Sequence, residues 1–84
     1  MKQRVKNEIE KRLNESGVKR YFNIKMKKTG KTIQVSEDRN IWSGKSFYVV
    51  SYVELDNYGY VIKSRNVVIA NTIEEVAEFI LKEA

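Results

Sequence analysis

The chain has 84 residues, with 16 Lys/Arg against 11 Asp/Glu, a formal net charge of +5, and no His, Cys or Pro. That length makes one small domain with a thin core, expected as a single α+β unit over residues 1–84. Without Cys or His there is no disulfide, thiolate nucleophile, imidazole base or common zinc site, so a non-enzymatic module without metal or cofactor is expected.

The charge is unevenly spread. Residues 1–31 hold eleven Lys/Arg and three Glu, whereas residues 32–84 hold five Lys/Arg and eight Asp/Glu. An asymmetry of this size suggests one surface meant for an acidic partner. No apolar run approaches the roughly 18 residues of a membrane span. Residues 1–17 are too charged for a secretory signal, and a cytoplasmic location is expected.

Residues 2–16 read as a helix, because Val5, Ile9 and Leu13 recur every four residues. Opposite charges four apart, such as Arg4–Glu8 and Lys11–Glu15, suit its wet side. Gly17 stands where a glycine ends a helix, and Val18 is placed to pack back on the last turn.

Residues 21–28 and 31–36 alternate around Thr29-Gly30, which predicts a hairpin with a two-residue turn. Pairing Lys28 with Lys31 sets Phe22, Ile24, Met26, Ile33 and Val35 on one face. Tyr21, Asn23, Lys25, Lys27, Thr32 and Gln34 then share the other. Residues 37–45 read as a polar loop in which Ile41 and Trp42 tuck against the core edge.

A longer hairpin follows, residues 46–55 and 60–70. Pairing Leu55 with Tyr60 assigns Phe47, Val49, Val53, Leu55, Ile62 and Val68 to the core. It leaves Tyr48, Val50, Tyr52, Lys63 and Arg65 on the open face, with a bulge expected in 64–66. Last comes a helix announced by the capping box Thr72-Ile73-Glu74-Glu75. Its apolar face is Ile73, Val76, Ala77, Ile80 and Ala84. The expected architecture is α-β-β-β-β-α, an antiparallel sheet with both helices packed on one face.

That order resembles the double-stranded-RNA-binding domain. The family carries a Gly-Pro-x-His loop and a Lys-Lys start to its last helix. This chain has no Pro or His, so the resemblance implies topology and no RNA-contact residue. Residues 46–84, with a hairpin and an Ala70-Asn71-Thr72-Ile73-Glu74-Glu75-Val76-Ala77 helix start, resemble the sheet-plus-helix DNA-binding domains of phage and transposon integrases. Those read a groove with strand residues. In size, charge and lack of Cys the chain is similar in type to phage-encoded inhibitors of host defence nucleases, anti-CRISPR proteins among them.

Two functions follow. Aromatic rings among cations on a sheet suit nucleic acid: bases stack on rings and Lys/Arg meet phosphates. The candidate set is Tyr21, Lys25, Lys27, Tyr48, Tyr52, Lys63 and Arg65, binding nucleic acid or a nucleic-acid-handling complex. The same residue types are also ordinary on the wet side of a strand. The alternative is an inhibitor of phage or mobile-element origin that contacts a protein through Trp42, Glu74, Glu75 and Glu78.

Overall fold

The computed structural model describes residues 1–83, so the expectation for Ala84 lies outside the described residues. A helix α1 (Lys2–Glu15) leads through a 3₁₀ turn (Gly17–Lys19) into four strands, β1 (Tyr21–Lys25), β2 (Thr32–Arg39), β3 (Ser46–Leu55) and β4 (Val61–Ala70). Helix α2 (Ile73–Glu83) ends the fold. The strands lie in chain order in one antiparallel sheet. Ile9 and Leu13 of α1 and Val76, Ala77 and Ile80 of α2 share one buried cluster with Phe22, Met26, Ile33, Val35, Tyr48, Val50 and Ala70. Both helices therefore cover the same face of the sheet, as the alternating strands require.

Local chemistry sets the ends. Thr72 Oγ1 accepts from the Glu75 amide at 3.2 Å and donates to the Glu75 carboxylate at 3.4 Å, so Thr72 caps α2 as read from the sequence, while the reciprocal bond of a full capping box, from the Thr72 amide to the Glu75 carboxylate, does not form among the described residues. Thr72→Ala removes that acceptor, and a urea titration should show a loss of about 1 kcal/mol. Gly17 takes a φ of 68° after α1, as a terminating glycine does. Val18 does not fold back on the helix and is fully exposed. Of the charge pairs expected along α1, Lys11–Glu15 forms, at 4.0 Å. Lys2 instead reaches Glu74 and Glu78 of α2, at 3.1 Å each.

The first hairpin keeps its faces but changes its turn. Met26 and Lys31 close it, with Met26 N donating to Lys31 O at 2.8 Å. Residues 27–30 form the loop, and Gly30 adopts a φ of 71°. Phe22 opposes Val35 and Ile24 opposes Ile33. The register is two residues from the expected one, and a shift of two leaves every side chain on its own face. β2 also runs on to Arg39, so Glu37 and Asp38 belong to a strand and the loop is only residues 40–45.

The second hairpin is corrected more deeply. Val35 pairs with Val50 and Ile33 with Tyr52, which turns Tyr48, Val50 and Tyr52 toward the helices. Phe47, Val49 and Leu55 are half-buried on the opposite face, and Ile62 is 62% exposed. Val53 is buried but stands apart from the main cluster. The cause lies in β3 itself. Phe47-Tyr48-Val49-Val50-Ser51-Tyr52-Val53 is apolar on both faces, so alternation does not choose between them. Ser51 breaks the odd-numbered set, and it finds a partner outside the core in Asn66, at 2.8 Å.

β4 departs twice from simple pairing. Val50 opposes Val68 while Ser51 opposes Asn66, leaving Val67 as an extra residue. A second shift lies between Glu54 and Leu55, opposite Ile62. The first bulge falls one residue beyond the expected 64–66. It lets Val68 and Ala70 enter the core while Lys63 and Arg65 stay exposed.

An ion pair ties β1 to β2 at the lower end of the sheet, where β2 and β3 are joined. Arg20, at φ 52°, donates from Nε and Nη2 to the two carboxylate oxygens of Glu37 at 3.0 and 2.9 Å. Its carbonyl accepts from the Glu37 amide at 2.9 Å. The guanidinium holds the Glu37 carboxyl below the usual range, and the Tyr48 hydroxyl adds to this. A depressed carboxyl stabilises the fold above its unfolded pKa and loses that contribution as pH falls through its folded value. Stability should therefore decline between about pH 5 and pH 2 more steeply in the wild type than in Glu37→Gln, measured by urea midpoints across pH. At pH 7 Glu37→Gln should show the lower midpoint.

Candidate functional site

The upper end of the sheet, where the β1–β2 and β3–β4 connections meet, gathers cations and rings that the helices leave uncovered. Tyr52 is central to it. Lys31, the residue before β2, places its ammonium 5.0 Å from the Tyr52 ring centroid. Arg65, opposite Tyr52 on β4, places its guanidinium 5.9 Å from the same centroid. Lys63 stands two residues further along β4, opposite Glu54. A shallow groove of about 820 Å³ runs along these residues and takes in Val53, Leu55 and Ile62.

The electrostatics follow from which charges are paired. Among the described residues Lys31, Lys63 and Arg65 make no ion pair. Glu54 is the one carboxylate lining the groove. Attraction to the Tyr52 ring offsets part of the repulsion between two neighbouring cations, so the phenol acts as their spacer. The loop residues Lys27 and Lys28 add exposed ammonium groups at the same end.

The β3–β4 turn supplies free rings. Asp56 Oδ1 accepts from the Tyr58 and Tyr60 amides, at 2.9 Å each, and Gly59 takes a φ of 86°. This fixes the turn and leaves Tyr58 85% and Tyr60 71% exposed. Large rings held on a hydrogen-bonded turn beside unpaired cations can take both a flat base and a phosphate.

The sequence-derived set divides across the molecule. Tyr52, Lys63 and Arg65 meet in the groove. Lys27 lies in the adjoining loop. Lys25 is at the same end but on the opposite face, by its pairing with Thr32. Tyr21 also faces that way and sits at the far end of β1, opposite Ser36. Tyr48 belongs to the core at 8% exposure, and burial followed by the Glu37 carboxylate pushes its phenol up. The seven residues therefore do not form one open sheet face, because β3 is turned over relative to the expected register. Lys31 belongs to the same groove and was missed, as were Tyr58 and Tyr60, which lie in the β3–β4 turn at this end and outside the groove lining. Their signal in the sequence was the run Asp56-Asn57-Tyr58-Gly59-Tyr60, two rings in a tight turn next to a basic strand.

The second set also divides. Trp42 is 91% and Ile41 86% exposed, so neither tucks into the core. Asn40 Oδ1 accepts from the Trp42 amide at 2.8 Å and the Ser43 amide at 3.2 Å, which braces the loop that presents them. The three glutamates have partners within the chain: Glu74 and Glu78 hold Lys2, and Glu75 completes the cap.

Comparison with protein-family models, curated proteins and solved structures finds no match for this chain. No helix among the described residues is long and apolar enough to cross a membrane. No group of three or more potential metal-ligating side chains gathers among them.

Proposed function

We propose that this chain is a non-enzymatic nucleic-acid-binding module whose contact surface is the upper end of the sheet. One observation carries the reading: Lys31 and Arg65 converge on Tyr52 with Lys63 beside them, and among the described residues none of the three has a carboxylate partner. Two unpaired cations held within 6 Å of one ring suit phosphate oxygens. Tyr58 and Tyr60 supply faces for unstacked bases, which favours single strands or loops over a closed duplex.

The inhibitor reading retains Trp42 and loses the support of Glu74, Glu75 and Glu78, whose carboxylates already serve the fold. A fluorescence titration of labelled single-stranded and duplex oligonucleotides at several salt concentrations tests the proposal. Binding that weakens as salt rises, and is tighter for single strands, is expected. No binding to any oligonucleotide at low salt would overturn it and move the protein-contact reading to first place.

A further inference from the structure

The groove at the upper end of the sheet holds one group that phosphates do not explain. Glu54 lies in its lining with Lys31, Lys63 and Arg65. It is exposed, and among the described residues it makes no ion pair.

The strand register fixes its place. Glu54 opposes Lys63 and Tyr52 opposes Arg65, with Val53 opposite Ser64 between them and no bulge inside the segment. Side chains two apart on a strand share a face, so these four form a cell about 5 Å across the strands and about 7 Å along them. On the other flank Lys31 precedes Thr32, which opposes Val53. Its ammonium is directed to the Tyr52 ring. Lys31 and Lys63 thus stand on either side of the Glu54 carboxylate, and neither closes on it.

Such a carboxylate works against phosphate, because it offsets one of the three cationic charges and repels an anion brought to the others. When ionised it accepts hydrogen bonds and donates none, so what it can receive is a donor. On an unstacked strand the donors lie on base edges. Two adjacent donors, the match for the two oxygens of a carboxylate, occur together only on guanine, at N1–H and the N2 amino group. Adenine and cytosine set one amino donor beside an acceptor nitrogen. Uracil and thymine set one N3–H between two carbonyls. Leu55 and Ile62, in the same lining, offer apolar contact to the ring.

We infer that the groove prefers guanine, with Glu54 accepting from N1–H and the N2 amino group of one unstacked guanine while the cations beside it hold the adjoining phosphates. The inference rests on the nucleic-acid reading of this groove and adds a base preference to it.

Labelled oligothymidine and oligouridine strands, each with a single central residue changed, test it by fluorescence anisotropy at low salt. A strand with a central guanine should bind about 10-fold or more tighter than one with adenine, cytosine or the unchanged host base. Hypoxanthine in its place, which keeps N1–H and lacks the N2 amino group, should give up most of that gain. Glu54→Gln, at an exposed position without an ion pair, should keep the circular dichroism of the wild type and lose the guanine preference. It should bind the other strands at least as tightly as the wild type does, whereas a merely structural role would weaken every strand alike. Equal affinity for all the strands would overturn the inference and leave the nucleic-acid reading standing. So would a guanine preference that survives in Glu54→Gln, one indifferent to hypoxanthine, or a Glu54→Gln variant weakened on every strand. No binding of any strand would remove the inference together with the reading on which it rests.

Discussion

Reversing the charge of Lys63 and Arg65 together should weaken oligonucleotide binding about 100-fold or more at low salt. A hydrogen bond to a charged group is worth about 1.5–3 kcal/mol, and two phosphate contacts would be lost. The dependence of log K on log salt should flatten by about 1.4 for a single strand, or about 1.8 for a duplex, because two fewer counterions are released. Both residues are exposed, so the fold should be untouched and circular dichroism should not change. Tyr58→Ala should weaken binding by about 1–3 kcal/mol and leave the slope alone, since stacking releases no counterions. Lys19→Glu, in the 3₁₀ turn at the far end, serves as the control and should change the slope little. An unchanged slope in the Lys63/Arg65 double variant would place the phosphate contacts elsewhere.

The second large effect separates two neighbours in β3. Val50 is fully buried between the sheet and the helices, whereas Val49 faces away and is half-buried. Val50→Asp puts an unpaired carboxylate into the core and should cost at least about 3–5 kcal/mol. A chain of this size has a total stability of roughly 4–12 kcal/mol, so this variant should lose a large share of it and its urea midpoint should fall steeply. Val49→Asp should remain folded at micromolar concentration and lose no more than about 1–2 kcal/mol. Urea titrations followed by far-ultraviolet circular dichroism distinguish the two. Equal losses would mean that β3 does not turn Val50 inward.

The contrast between these neighbours shows where the sequence is informative. α1, α2, the Thr72 cap and the faces of the first hairpin were all legible, because each carries one unambiguous apolar stripe or a side chain with a defined local partner. Phe22, Ile24, Ile33 and Val35 alternate cleanly with polar residues, and even a register error of two residues left them inside. β3 has no such contrast. Its orientation is decided by long-range pairing with β2 and by the depth to which β2 continues before its loop, neither of which is written in β3. The candidate site inherited this ambiguity. Tyr52, Lys63 and Arg65 were found together because they face one another across two adjacent strands in either register. Tyr48 was misassigned because a tyrosine with a buried ring and a hydroxyl near Glu37 reads like an exposed one.

The extra residue at Val67 makes β4 two strands in one. Below it, Val68 and Ala70 answer to the packing of the helices. Above it, residues 61–66 are exposed, and the bulge frees their inward or outward sense from that of the lower part. Natural variation and saturation mutagenesis should therefore change character at one peptide unit. Toward Ala70, substitutions should be judged by volume and polarity. Toward Val61, they should be judged by what the surface binds. Interior packing and surface chemistry are thereby separated within a single strand, and each can change while the other stays fixed.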